Sequence, residues 1–341
     1  MIDPSRLTLL AFRFFSRAPE PLSRGIMLVA ADIAWLRNGK GVRQLEANLR
    51  RARPDATPRR LRRLTRQGMR TYLRYYAEAF VLPRLTAEQV DARVRSVGVR
   101  APLDACGEGR PVILALAHQG NWDLAGAWAT VHLAPATTVA ERLNPPEVFD
   151  AFVRMREANG LTIIPLDKGT DVFRELVRVA QRGSVLIPLL ADRDLTSRGV
   201  EVDLLGERAR VAAGPAALAV ATGALFVPTM LRHERIHGWR RRVGGSPWGL
   251  VVTFAPPLPV PEHLPRSEQV RALTQAWIDV LGADIAEYPE HWHMLQKVFV
   301  ADLDAERYAA ATGSVTTGTA GTTGTAGTAG TAGTTRDEER S

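Results

Sequence analysis

The chain has 341 residues, 45% of them hydrophobic, with a formal net charge of +8 and one cysteine. This is ample apolar material for one large core or two small ones, which excludes a disordered or fibrous polypeptide over most of its length. Cys106 alone cannot form an internal disulfide, so a reducing cytoplasm is expected, and the basic balance points to acidic partners.

In chain order, the opening MIDPSRLTLLAFRFF carries an acid early and Arg13 inside its apolar run, so it does not read as a signal peptide. The run IMLVAADIAWL contains Asp32 and falls short of the roughly 20 apolar residues that a membrane span needs. The segment LTLLAFRFFSR interleaves apolar and cationic groups, with Phe12, Phe14 and Phe15 available to enter a membrane interface. Breaks at Pro19 and Pro21, around Gly39 and Gly41, at Pro54 and Pro58, and at Pro83 divide residues 6–93 into several helices. Arginines crowd this region from Arg43 to Arg74, opposed by Glu46 and Asp55. Such a segment is either a solvated helix face or a surface for anionic lipid, ligand phosphates or nucleic acid. No zinc spacing, aromatic RNA-binding strand or helix-turn-helix pattern supports nucleic acid. With the aromatic segment before it, region 1–93 is expected to be a helical, basic, membrane-associating part, attached peripherally.

From residue 94 the pattern changes. VRSVGV, PVILALA, TTVAER, LTIIPL, SVLIPLLA, LFVPTML and LVVTFAP are short apolar runs, separated by amphipathic stretches such as EVFDAFVRMREAN and DVFRELVRVAQRG. This alternation predicts an α/β domain over 94–311, with a sheet covered by helices and closed by a last helix in SEQVRALTQAWIDVLGADIAEY. VAAGPAALA, with Gly214 and Pro215, reads as the start of a small-residue core helix. Residues 312–341 are nearly all Thr, Gly and Ala before RDEERS, and are expected to form a disordered tail.

The segment PVILALAHQGNWDLAGAW ends an apolar strand on His118 and places Asp123 five residues later. Residues five apart on a helix are rotated by about 140°, so the two can meet only if His118 lies in a strand-to-helix turn. Gly120 and Asn121 supply that turn and an N-cap. An imidazole there, with a carboxylate to fix its tautomer, can act as a general base on a hydroxyl. The alternative is a polar residue at a loop. Cys106 has no thiolate-stabilising surroundings, there is no Gly-x-Ser-x-Gly elbow, and Ser184 precedes a strand rather than following one, so no serine or cysteine nucleophile is indicated. His291 and His293 are two apart and lack a partner motif, so no metal site is expected. A second polar block, ADRDLTSRG, also ends an apolar strand. Ligands gather at the carboxyl ends of strands in open α/β sheets, so Asp192, Arg193 and Asp194 should face the cleft containing His118.

HQGNWD, VAERLNPP, FVRMREANGL, ADRDLTSRGVEVDLLGERARVAAGPAALA and YPEHWHMLQKVF together resemble the lysophospholipid acyltransferase superfamily, whose first motif is His-x4-Asp. The resemblance runs from Arg6 to Val300 and is closest to the bacterial branch of lipid A late acyltransferases and phosphatidylinositol mannoside acyltransferases. It implies a mostly parallel central sheet flanked by helices, like glycerol-3-phosphate acyltransferase. It also implies transfer of a long acyl chain from acyl-CoA or acyl carrier protein to a glycolipid or lysolipid hydroxyl, with acyl-CoA a co-substrate and no cofactor. The lipid A branch commonly carries an N-terminal hydrophobic anchor. Here only short, interrupted runs occur, which tips the expectation toward a mannosylated phosphatidylinositol acceptor at the cytoplasmic face of the membrane.

Carried onto this chain, the resemblance makes His118 the base and Asp123 the group that holds its second nitrogen. Asp192 stands where an acidic residue is implicated with the His, although the family member carries Glu there, and a structural ion pair is the alternative. Backbone amides around Gly120 and Asn121 are the nearest oxyanion donors. Arg156, Arg198 and Arg193 would contact the donor's phosphates, for which a guanidinium offers a bidentate fork. Glu141, Arg142 and Asp194 would line or support the acceptor side. The rival of another class is a non-catalytic module that binds anionic lipid or nucleic acid.

Overall fold

The computed structural model describes residues 14, 15, 17–142, 146–167, 171–194, 199–304 and 308. Phe12, Arg198 and the segment 312–341 lie outside the described residues.

The helical part begins with α1 (Glu20–Arg37), α2 (Lys40–Ala52) and α3 (Pro58–Val81), followed by a short 3-10 turn at Leu82–Arg84 and α4 (Ala87–Arg93). Each break falls where the sequence places it. Pro21 sits in the first turn of α1, Gly39 caps α2, and Thr57 caps α3 by accepting the Arg60 N–H at 3.3 Å with Pro58 just inside. Ala31, Val42, Leu45, Leu49, Leu61 and Met69 form a separate small core between these helices.

The α/β part runs β1 (Val94–Val97), α5 (Arg100–Gly107), β2 (Val112–Leu116), α6 (Trp122–His132), β3 (Ala136–Glu141), α7 (Pro146–Ala158), β4 (Leu161–Leu166), α8 (Val172–Ala180) and β5 (Leu186–Leu190). It continues with β6 (Val200–Leu204), β7 (Glu207–Val211), α9 (Gly214–Thr222), β8 (Leu225–Arg235), α10 (Gly238–Gly244), β9 (Trp248–Phe254) and α11 (Arg266–Glu287). Seven strands make one sheet in the order β1-β9-β8-β2-β5-β3-β4, parallel throughout except for the antiparallel β8–β9 pair. The mostly parallel, helix-flanked sheet is the expected fold class.

Every residue of β2 is buried, as a central strand covered on both faces requires. Its alternation divides two cores. Ile113, Ala115 and Ala117 join Ile187, Leu189, Phe226 and Trp277 on one face, while Val112, Leu114 and Leu116 join Leu186, Val227, Leu231 and Leu124 on the other. Each fully buried aliphatic side chain contributes about 1.5–3 kcal/mol relative to exposure.

One element is absent from the strand runs read in the sequence. Residues 200–211 form the β6–β7 hairpin, turning through Leu205 and Gly206, both at positive φ. Its Val202, Leu204, Ala209 and Val211 pack into the first core. The helical part docks on this body through α3 and α2, where the Asn48 amide donates to the Met294 and Gln296 carbonyls and Arg51 pairs with Asp302.

Candidate active site

β2 and β5 are neighbours in parallel register, with Leu116 opposite Leu190. Two residues beyond each lie His118 and Asp192, so the register itself brings them together at the carboxyl end of the sheet. Nδ1 of His118 is 2.6 Å from Asp192 Oδ1, and Asp192 Oδ2 accepts the His118 backbone N–H at 3.1 Å and the Trp292 indole N–H at 2.9 Å. Asp192 is fully buried, while 39% of the His118 side chain is exposed. With Nδ1 held by a carboxylate, Nε2 is left facing outward, and it has no hydrogen-bond partner among the described residues.

Burial works to raise the Asp192 carboxyl, but the His118 charge and the three hydrogen bonds outweigh it and hold the group below its ordinary value. Burial works to lower His118, and Asp192 overcomes it, so the imidazole lies above its ordinary value, with Arg193 opposing. Arg193 and Asp194 are partly buried beside this pair, and the Asp194 N–H donates to the Arg210 carbonyl.

The turn after His118 is built as its residues require. Gly120 has φ +53°, and Asn121 caps α6 by accepting the Leu124 N–H at 3.0 Å. The Asn121 amide donates to Glu78 at 2.9 Å, and the same Glu78 oxygen lies 3.1 Å from His233 Nε2. Across the turn runs the late segment: the Gly120 N–H donates to the His291 carbonyl at 3.2 Å, and the His293 N–H to the His118 carbonyl at 2.7 Å. The HWH block therefore clamps the turn that carries His118. The Gly120 amide, expected as an oxyanion donor, is already committed to His291.

Asp123 is placed differently from the expectation. It sits in the first turn of α6, rotated away from His118 and toward α3 and α7. Its carboxylate accepts the Tyr75 O–H and the Arg156 Nε–H, both at 2.8 Å. The acid that orients His118 is Asp192, not Asp123. Arg156, expected to contact a donor phosphate, lines the cleft but has only 18% of its side chain exposed, and its Nε–H is paired with Asp123. Burial disfavours the Arg156 charge, but Asp123 outweighs it and raises the group further. Arg142 is exposed and ion-paired with Asp167, whereas Glu141 ends β3 at the rim of the cleft.

The cleft itself is a cavity of about 360 Å³ lined by His118, Glu141 and His293 and walled by Tyr72, Tyr75 and Trp122. His293 is buried without a side-chain hydrogen bond, and burial holds it well below its ordinary value, so it is a neutral imidazole in the wall. Trp122, Val139, Arg156 and Leu190 are shared with a second, smaller and mostly apolar cavity that continues between the sheet and α6 past Leu114, Leu116, Leu186 and Phe254. Tyr75, Glu78, His233, His293 and Trp292 are not among the site residues that the sequence points to. Only the late HWH block carries a local signal, because the others reach the site from distant helices and strands.

Known proteins resemble this chain over most of its length. A model of the bacterial lipid A biosynthesis acyltransferase family matches residues 7–300. Over 298 residues the chain is 38% identical to a phosphatidylinositol mannoside acyltransferase of Mycolicibacterium smegmatis, covering 87% of this chain and 92% of that protein. It is 39% identical over 277 residues to one of Mycobacterium tuberculosis, covering 79% and 80% respectively. Among solved structures, a 1-acyl-sn-glycerophosphate acyltransferase of Thermotoga maritima aligns with TM-score 0.33 and 15% identity over 65% of this chain and 86% of that one.

Proposed function

Because the chain belongs to the bacterial lipid A biosynthesis acyltransferase family, we propose that it moves a long acyl chain from acyl-CoA to a mannose hydroxyl of a phosphatidylinositol mannoside, with His118 as general base. That the chain is an acyltransferase follows from its family; the donor, the acceptor and the residue roles are our reading. The carrying observation is the Asp192–His118 pair, with Nε2 facing a cavity that opens into an apolar one. The mannoside acceptor is favoured by the relatives' names and by similarity over most of their length.

In this reading Nε2 takes the hydroxyl proton as the oxygen attacks the thioester carbonyl carbon. Asp192 stabilises the resulting imidazolium, much as a buried acid does in hydrolase triads. Collapse of the tetrahedral adduct breaks the C–S bond, and the imidazolium returns its proton to the departing thiolate, giving an ester and free CoA. The reading takes the transfer as direct, from thioester to hydroxyl, without an acyl-enzyme. The apolar cavity, about 70 Å³ in volume, suits a short segment of the acyl chain, Glu141 the acceptor sugar, and Arg193, with Arg198, the donor's phosphates.

No helix among the described residues is long and apolar enough to cross a membrane. Peripheral attachment at the cytoplasmic face, through the basic helices and Phe14, which is exposed, completes the reading. Incubating the full chain with phosphatidylinositol mannosides and labelled acyl-CoA, then identifying the products by mass spectrometry, tests it. One added acyl chain on a mannose is the expected result. Transfer only from acyl carrier protein, or only to a different lipid, would overturn the donor or the acceptor respectively.

A further inference from the structure

Helix α3 divides two cavities. Tyr72, Tyr75 and Tyr76 face the reaction cleft, while Gln67, Arg70, Thr71 and Arg74, spaced at helical repeats, face a separate cavity of about 840 Å³. The 289–294 segment forms a second partition, because Glu290 and His291 line the new cavity whereas His293 and Met294 line the cleft.

This second cavity is cationic. Of its four arginines, Arg70 is paired with Asp32 and Arg24 lies 3.6 Å from Glu20. Arg74 and Arg235 have neither a carboxylate within ion-pair distance nor a hydrogen-bonded partner among the described residues; both pack on the indole of Trp248, at 3.5 and 4.0 Å from the ring. Glu290 is the one acid among the lining residues, and His291 is held neutral by burial. Burial, opposed by Glu78 and reinforced by Arg235, Arg24 and Arg70, lowers Arg74 to about 10. Two guanidinium groups on one aromatic plate, short of counter-charge, form an anion site.

The helix that borders it indicates the source of the anion. Arg24, Met27 and Leu28 of α1 line the cavity, and the same helix exposes Leu22, Ile26, Val29, Ile33 and Leu36. These positions are four, three, four and three residues apart, which makes one apolar stripe on the helix surface. We propose that Arg74 and Arg235 bind the phosphate of an anionic phospholipid within the membrane, while the α1 stripe lies among the acyl chains. The inference rests on the reading of the chain as an enzyme that works at a lipid surface, and it assigns the docking site apart from the reaction cleft.

The test is co-sedimentation of the full chain with vesicles of phosphatidylcholine, alone or mixed with phosphatidylinositol or phosphatidylglycerol. Arg235→Gln changes an exposed side chain and should lower partitioning onto the anionic vesicles about fivefold or more, leaving neutral vesicles unaffected. Arg74→Gln should do the same, with its thermal midpoint recorded to confirm folding. The control Arg59→Gln/Arg63→Gln removes two exposed charges outside the cavity and should lose less than Arg235→Gln alone. The proposal is overturned if Arg235→Gln binds as wild type, or if the control pair loses as much. It is also overturned if inorganic phosphate binds through Arg235 while vesicle binding is indifferent to that residue. Ile33→Asn should weaken vesicle binding; a change in oligomeric state instead would assign the stripe to a second copy of the chain. Binding is read without turnover, so failure here leaves the acyl-transfer reading standing, and absence of turnover leaves this one standing.

Discussion

Asp192 holds His118 at two points, its Oδ1 lying 2.6 Å from the ring Nδ1 and its Oδ2 accepting the same residue's backbone N–H at 3.1 Å. One carboxylate thereby fixes the position of the turn and the tautomer of the base together. Asp192→Asn keeps the volume but cannot stabilise the imidazolium, so turnover should fall by about 10²–10⁴-fold with the fold retained. Asp192→Glu restores the charge and should recover part of the rate. Steady-state kinetics on circular-dichroism-checked variants decide it, and a near-normal rate for the Asn variant would remove Asp192 from the mechanism.

The pair also sets a pH dependence. A base works when neutral, so activity should rise with pH through a midpoint above the ordinary histidine value, because Asp192 raises His118. Asp192→Asn removes that support, and the residual activity should titrate at lower pH. Stability runs the other way for this group: a raised histidine contributes fully below its unfolded value near 6.5 and loses that contribution as pH rises through its folded value. His291 and His293 are lowered by burial, so their contribution is present above about 6.5 and is lost as pH falls. Urea midpoints should therefore drop on the acid side, and His293→Phe should flatten that drop. An unchanged acid limb would refute the neutral, buried state of His293.

The amino-acid sequence encodes much of this arrangement locally. The strand runs are apolar because central strands are covered on both faces, and His118 stands out because a polar residue follows such a run. Gly120 and Asn121 announce the turn for local reasons of backbone and capping. The same local logic fails for the partner of His118: five residues of separation make Asp123 look near, but the first turn of α6 rotates it toward Tyr75 and Arg156. Asp192 comes from a strand 74 residues later: its place at the end of an apolar run points it to the same cleft, but its contact with His118 is set by sheet register, which no local spacing encodes. Trp292 and Glu78 likewise arrive through tertiary packing. The β6–β7 hairpin lies outside the continuous apolar runs that mark the sheet: VEVDL instead alternates apolar and polar residues, and its turn contains Leu205 rather than the Asn or Asp usual at positive φ.

Asp123, Arg156 and Tyr75 form a buried, mutually satisfied group joining α6, α7 and α3. Removing one ion leaves the other buried without its counter-charge, which typically costs about 3–5 kcal/mol. Asp123→Ala and Arg156→Ala should both lower the unfolding free energy by that order, and the double variant should cost less than their sum. Tyr75→Phe removes one hydrogen bond to a charge and should cost about 1.5–3 kcal/mol. Denaturant unfolding of the three variants measures this. An Arg156 variant that unfolds like wild type and changes only the acyl-CoA Michaelis constant would restore that arginine to the donor's phosphates.

Gly120 gives the most local test of the turn that carries His118. Its φ of +53° lies where a side chain costs roughly 1–2 kcal/mol, and a Cβ there would stand 2.8 Å from the Leu231 carbonyl carbon and oxygen. Those are backbone atoms of β8, which cannot yield without moving the sheet. Gly120→Ala should therefore cost more than the left-handed conformation alone and push the turn off its strand, carrying His118 with it. A displacement of about 1 Å at such a base can lower turnover by about 10²-fold. Gly109 supplies the control: it also has positive φ, +76°, but a Cβ there meets nothing within 4 Å, and it precedes β2 at the end away from His118. Gly109→Ala should show the conformational cost and leave turnover intact. Equal stability losses in the two variants, or a fully active Gly120→Ala, would show that contact with β8 does not hold the turn.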